Sequence, residues 1–482
     1  MPAVKTGGYS RLVTLAEMQQ KISSGDISPV ELIVRTIQQI DKKNPSMNAF
    51  IETFFEKALA EARIAEQRIY QKNARPLEGI PLTIKDSLDV TGSPTHCGSL
   101  LNRELRPADD ATSVRLLRDA GAIIIGKTSC PEFLMNYETD NRIIGRTNNP
   151  WDESRTAGGS SGGEAAAIAT FCSAGGMGSD GGGSVRFPAH CCGIAGLKPT
   201  PGRISGAGHV PPIVHPGGLL GVIGPMARTA EDVRILFEIL ARFDPADPFS
   251  TPIPLRAPDL SPWKNKRLRI GIMPGWLDVP VMAAMADATV KAETLLAELG
   301  FAVESFRPAE VDRAPNLWWF FFGQIHSRMT KESLLGKEDQ LHWTGMELLK
   351  RAIDEPEPTV ETVLNNLAER DSMRAKLLRQ MEIHRVLLLP ACGVTAFPHR
   401  TRRWKTPGKE IGLFEAMMPL TPFNLFGMPG MVVPMGFDEE GLPCGVQLVG
   451  RPYDEELLLE LATQLENARD PFPTPPGVEP LF

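Results

Sequence analysis

Two glycine–serine segments constrain this chain more than any other part of it. The first runs Arg155-Thr-Ala-Gly-Gly-Ser160-Ser161-Gly-Gly-Glu164, and the second Ser179-Asp180-Gly181-Gly182-Gly183-Ser184-Val-Arg186-Phe-Pro188. Between them, Glu164 to Ser173 is rich in alanine and reads as one buried helix. Glycine loses more backbone freedom on folding than any other residue, so a packed protein keeps glycine runs where backbone must approach something closely. Successive amides from Gly181 to Ser184 suit a developing oxyanion. The adjoining Arg186-Phe-Pro-Ala and Gly196-Leu-Lys-Pro have the character of ordered structure, which argues against a flexible linker.

The rest of the chain supplies a frame for these loops. Thr14 and Glu17 form a capping-box pattern before the stripe Leu15, Met18 and Ile22. Ser28 caps a second helix with Pro29 at its first position, and a third spans Phe54 to Tyr70. From Ile80 onward strands alternate with helices. Strands are expected at Ile80 to Ile84, Ala122 to Ile125, Leu268 to Met273, Phe301 to Glu304, Val386 to Leu389, Met431 to Pro434 and Gly445 to Val449. Helices are expected at Ser113 to Asp119 and Val281 to Leu299. Such alternation predicts an α/β fold around one mixed sheet. The six prolines from Pro245 to Pro262 read as a surface crossing within one domain.

Bulk chemistry narrows the function. A net charge of −7 without a long basic run argues against nucleic acid. No apolar run is long enough for a membrane helix, and Met1 to Leu12 lacks the apolar core of a secretory signal. Seven cysteines, with Cys191 and Cys192 adjacent, fit reduced thiols in a cytoplasm. The histidines at 96, 190, 209, 215, 326, 342, 384 and 399 show no metal spacing, so neither metal nor cofactor is expected; His209 and His215 follow the second loop and could border a pocket.

Together the two loops resemble the signature of the amidase signature family. Gly79-Ile-Pro-Leu-Thr-Ile-Lys85-Asp86 resembles that family's lysine segment. Gly126-Lys-Thr, Pro131-Glu-Phe133, Thr147-Asn-Asn-Pro-Trp151, Gly224-Pro-Met-Ala-Arg-Thr229, Asn424 and Gly441-Leu-Pro-Cys-Gly-Val-Gln-Leu448 fit as well. The resemblance covers nearly the whole chain except about 306–385. It implies one domain over 1–482, with a central mixed sheet covered by helices on both faces. It also implies Ser184 as nucleophile, Lys85 as base and Ser160, after a cis peptide, as the bridge between them. The amides of Gly181, Gly182, Gly183 and Ser184 would form the oxyanion hole, with Ser161, Asp180 and Arg186 in support. Gly181 stands where the family often has a threonine or an apolar residue.

The chemistry is coherent in its own terms. A serine hydroxyl needs a base within hydrogen-bond reach, and a lysine is a base only when neutral, as burial can arrange. An intervening serine can carry the proton off the nucleophile and later onto the leaving amine. Ser–Lys variants of the catalytic triad follow this logic. The expected reaction is hydrolysis of a small amide, and of related esters or carbamates, through an acyl-enzyme. Segment 306–385 contains Trp318-Trp-Phe-Phe-Phe322, Met329, Trp343 and Met346, and is expected to be helical and to shape an apolar substrate pocket. A monomer or homodimer is expected.

Competing readings follow from other motifs. An amidotransferase A-type subunit, which supplies ammonia within a tRNA-dependent amidation complex, shares the triad; it is placed second because Phe187 precedes Pro188 where that branch has glutamine. Gly121-Ala-Ile-Ile-Ile-Gly126-Lys127-Thr128 matches a nucleotide-binding P-loop in letters, although its centre reads as a strand. Gly159-Ser-Ser161-Gly-Gly163 matches a nucleophile elbow, but no strand leads into it. Ser261-Pro-Trp-Lys264 matches S-x-x-K by chance within the proline-rich crossing.

Overall fold

The computed structural model describes residues 13–215, 218–256 and 268–482. The segment read for a secretory signal and the Ser261–Lys264 match fall outside them, as does part of the proline-rich crossing. Eleven strands form one mixed sheet. They are β1 (Phe50–Thr53), β2 (Pro81–Lys85), β3 (Ile123–Thr128), β4 (Gly175–Asp180), β5 (Ala195–Lys198), β6 (Val222–Ala227), β7 (Arg269–Ile272), β8 (Ala302–Ser305), β9 (Val386–Pro390), β10 (Gly430–Phe437) and β11 (Pro443–Val449), in the spatial order β1-β3-β2-β4-β6-β5-β10-β11-β9-β7-β8. Strands β3, β2 and β4 run parallel, as do β9, β7 and β8, and the strands between them pair antiparallel.

Side-chain alternation along a strand divides the core between the two faces of the sheet. On β9, Val386 and Leu388 join the larger apolar cluster, whereas Leu387 and Leu389 join a second cluster with Trp276, Trp318, Phe423 and Phe426. The N-terminal helices form as their caps dictate. Thr14 accepts the Glu17 amide in a full capping box, and Ser28 caps Pro29–Met47.

Strand β4 departs from the expected pattern. Its sequence, Gly-Gly-Met-Gly-Ser-Asp, has little β propensity and reads as the loop before the nucleophile. It exists because its glycines let neighbours approach. A side chain at Gly176 would collide with the Glu164 carboxylate, and a Cβ at Gly178 would lie 2.8 Å from Ser161 Oγ. The alanine-rich helix Gly162–Ala169 can therefore lie directly on the sheet, buried along its whole length. Strands β1, β5 and β6 are also additions to the expected set, the last two being short stretches broken by glycine or proline.

Segment 306–385 is helical as expected. Ala314–Trp319 continues through a wider π-type turn, Phe320–Ile325, into His326–Leu334, followed by Trp343–Asp354 and Val360–Gln380. Among the described residues no helix is long and apolar enough to cross a membrane. All seven cysteines are buried free thiols.

Candidate active site

Lys85 is the last residue of β2, and the parallel pairing of β2 with β4 sets its side chain beside the start of the glycine loop. Its Nζ donates to Ser160 Oγ at 2.7 Å, Ser161 Oγ at 2.9 Å and Ser179 Oγ at 3.0 Å, with the Ser179 carbonyl at 3.4 Å. The lysine is fully buried. Burial lowers its pKa to about 8, partly offset by the nearby thiols Cys130 and Cys97 and by Asp180 and Glu164. A substantial neutral fraction thus exists near physiological pH.

Ser160 follows a cis Gly159–Ser160 peptide bond, as the resemblance implies. Ser160 and Ser184 line one cavity of about 280 Å³. Ser160 Oγ is bonded to Lys85, whereas no hydrogen bond joins it to the Ser184 hydroxyl. Ser161 lies behind Ser160 on the lysine and does not reach the cavity, which removes the nucleophile-elbow reading.

Arg186 and Asp180 brace the turn that carries Ser184. Arg186 donates to both Asp180 oxygens, at 3.0 and 3.1 Å, to Asn424 Oδ1 at 2.5 Å, to the Leu420 carbonyl and to Gln447 Oε1. Burial would raise the Asp180 carboxyl, but the charge and hydrogen bonds of Arg186, with Lys198 and Asn424, hold it well below the usual carboxylate range. One expectation changes here. The Gly183 amide donates to Asp180 Oδ1 at 2.7 Å, so it holds the turn together and is not free for an oxyanion. The amides of Gly181, Gly182 and Ser184 have no such partner within the turn.

The cavity beside Ser184 has apolar walls from Phe133, Met135, Ile213 and Val214 and, in the 306–385 segment, Phe322 and Met329. A second cavity of about 140 Å³ also has Ser184 and Phe322 in its lining. It is lined by Tyr137, Trp319 and Trp343 and by the charged Glu347, Arg351 and Arg402. His209 borders the first cavity; burial lowers its pKa to about 4, so it is neutral, and His215 borders a neighbouring one. Ser179 and Tyr137 join the site without a role expected from the sequence, whereas Trp318, from the aromatic run expected to shape the pocket, reaches the turn itself. Ser179 is visible in the glycine loop, but nothing local marks Tyr137.

The P-loop match dissolves in the fold. Gly126 and Lys127 lie inside β3, followed only by the short 3-10 turn Glu132–Leu134 rather than by the α-helix a P-loop needs. Lys127 is fully buried, paired with Asp86 Oδ1 at 2.8 Å and donating to the Pro94 carbonyl. Such a lysine cannot reach a phosphate. Among the described residues no group of His, Cys, Asp and Glu could hold a metal ion.

The chain belongs to the amidase family, whose model matches residues 31–459. The A-type subunit of glutamyl-tRNA(Gln) amidotransferase from Chloroflexus aurantiacus is 34% identical, over 93% of this chain and 95% of that protein. Two solved structures are similar over nearly the whole length. One is from a vestigial protein complex bearing on the origins of an s-triazine catabolic enzyme (28% identical, TM-score 0.87, 98% of this chain and 100% of that one). The other is a bacterial aryl acylamidase of the amidase signature family (25% identical, TM-score 0.85, 96% and 97%).

Proposed function

We propose that this protein hydrolyses carbon–nitrogen amide bonds through an acyl-enzyme on Ser184, with Lys85 as base and Ser160 passing the proton between them. The observation that carries the proposal is a buried lysine of lowered pKa, 2.7 Å from Ser160 Oγ, in a site that shares one cavity with Ser184. Neutral Lys85 draws a proton through Ser160 as Ser184 attacks the carbonyl. The free amides of the 181–184 turn then stabilise the oxyanion. The proton returns through Ser160 to the departing amine, and water releases the acid by the same relay. Arg186, Asp180 and Ser161 hold the parts in place. The apolar walls around Ser184, with Phe322 and Met329 from the 306–385 segment, favour an aryl or alkyl amide, and the same chemistry extends to esters and carbamates.

A second reading has its own support. The curated relative of 34% identity belongs to an amidotransferase, which favours ammonia release from a primary amide within a complex over free-standing hydrolysis. The charged cavity with Glu347, Arg351 and Arg402 is the part of the site suited to a zwitterionic substrate. Turnover of an aryl amide panel and of glutamine by the isolated protein separates the two. Aryl amide hydrolysis without glutaminase activity supports the first reading. Glutaminase activity that appears only with copurifying partner chains supports the second.

A further inference from the structure

The turn that presents Ser184 has four successive carbonyls, from Asp180 to Gly183, and each accepts a hydrogen bond from outside itself. Asn424 Nδ2 donates to Asp180 O at 3.1 Å, Trp318 Nε1 to Gly181 O at 2.8 Å, Tyr137 Oη to Gly182 O at 2.8 Å and the Phe187 amide to Gly183 O at 2.6 Å. In a planar trans peptide the carbonyl and the following N–H point in opposite directions. Anchoring Asp180 O, Gly181 O and Gly183 O therefore aims the Gly181, Gly182 and Ser184 amides the other way, whereas Gly182 O, held by Tyr137, shares its peptide with the Gly183 amide. Asp180 takes the Gly183 amide, so the Gly182–Gly183 peptide is clamped at both ends.

Two of these anchors are side chains from distant elements that also touch the turn closely. A Cβ at Gly182 would lie 3.0 Å from both Trp318 Cε2 and Tyr137 Oη, and one at Gly181 would lie 2.6 Å from Phe322. Trp318 stacks on Phe322 with centroids 4.9 Å apart. Burial pushes the Tyr137 hydroxyl far above its ordinary pKa, so it remains a donor at any working pH.

We infer that Trp318 is a positioning residue that aims the Gly182 amide at the oxyanion, with Tyr137 fixing the adjoining Gly182–Gly183 peptide, and that the 306–385 segment thereby acts on the chemical step as well as on substrate fit. The inference rests on the proposed acyl transfer at Ser184. It predicts a transition-state defect, because the Trp318 hydrogen bond orients a donor that matters only once negative charge develops on the carbonyl oxygen.

The test uses Tyr137→Phe, which removes one hydroxyl, and Trp318→Phe, which removes the indole N–H. For an aryl amide Trp318→Phe should lower kcat about tenfold, the equivalent of one hydrogen bond, and leave KM within about twofold, while Tyr137→Phe, which acts one peptide away, should have the smaller effect on kcat. Phenylboronic acid gives an independent readout. The Ser184 oxygen adds its electron pair to boron, its proton passes to Lys85, and a boron-bound oxygen occupies the oxyanion position. Its inhibition constant should rise in step with the fall in kcat. Wild-type kcat and boronate affinity in Trp318→Phe would overturn the inference, as would a change confined to KM, which marks a wall residue only. Failure of the underlying reading looks different: the unmodified protein would show neither Ser184-dependent turnover nor boronate inhibition, and the inference would fall with it.

Discussion

Lys85 shows how one side chain acquires a function from its surroundings. A free lysine titrates near 10.4 and at neutral pH is a base in only about one molecule in two thousand. Burial among Ser160, Ser161 and Ser179 lowers Lys85 to about 8. In the proposed relay the neutral form is the active one, so kcat/KM should fall as pH drops below about 8 and level off above it, which a pH–rate profile on an aryl amide will show. Lys85→Ala should reduce amide hydrolysis by about 10²–10⁴-fold. It should spare an activated ester more, because a good leaving group needs no returned proton. Lys85→Arg should fail too, since guanidinium stays charged. Near-wild-type amide turnover in Lys85→Ala would end the relay proposal. Ser184→Ala should remove both turnover and labelling by a fluorophosphonate while leaving the melting temperature near that of the parent. Mass-spectrometric mapping of the label to Ser161 would count against the assignment.

Among the elements, the helix Gly162–Ala169 carries the site's register. Its Glu164 accepts hydrogen bonds from Thr83 on β2 and from Thr128 Oγ1 on β3, the latter at 2.6 Å, and so pins the helix start across two strands beside Lys85. Burial raises the Glu164 pKa to about 7. A protonated carboxyl and an amide are then close substitutes, so Glu164→Gln should cost much less stability than Glu164→Ala. The alanine variant leaves buried hydroxyls unpaired and should lose about 1–3 kcal/mol in urea denaturation. Equal losses would mean that the hydrogen bonds contribute little. The turn after β4 depends instead on the buried Asp180–Arg186 pair. Removing one partner of such a pair strands the other charge, and Arg186→Ala should destabilise the fold by about 3–5 kcal/mol in the same assay.

For the whole molecule, the question is whether the chain works alone. Light scattering on the purified protein should report a monomer or homodimer that hydrolyses aryl amides with chelator present and no nucleotide added. Activity lost in chelator and restored by zinc would contradict the Ser–Lys mechanism. Glutaminase activity that depends on added partner chains would move the protein to the amidotransferase reading. The sequence alone carried the α/β class, the N-terminal helices and the three residues of the proposed relay, Lys85, Ser160 and Ser184. These are written locally, as capping residues, apolar periodicity and an ordered series of motifs. It did not reveal β4, because Gly-Gly-Met-Gly-Ser-Asp becomes a strand only when Glu164 and Ser161 press against a backbone without side chains. Nor did it reveal that Lys127, inside a P-loop spelling, is the buried partner of Asp86. The Gly183 amide, expected to face an oxyanion, is held by Asp180, while Tyr137 and Trp318 grip the same turn from 45 and 137 residues away. What the sequence determined depends on neighbours along the chain. What only the tertiary structure decided is which distant donors and charges meet one backbone turn, because hydrogen bonding and desolvation act through space.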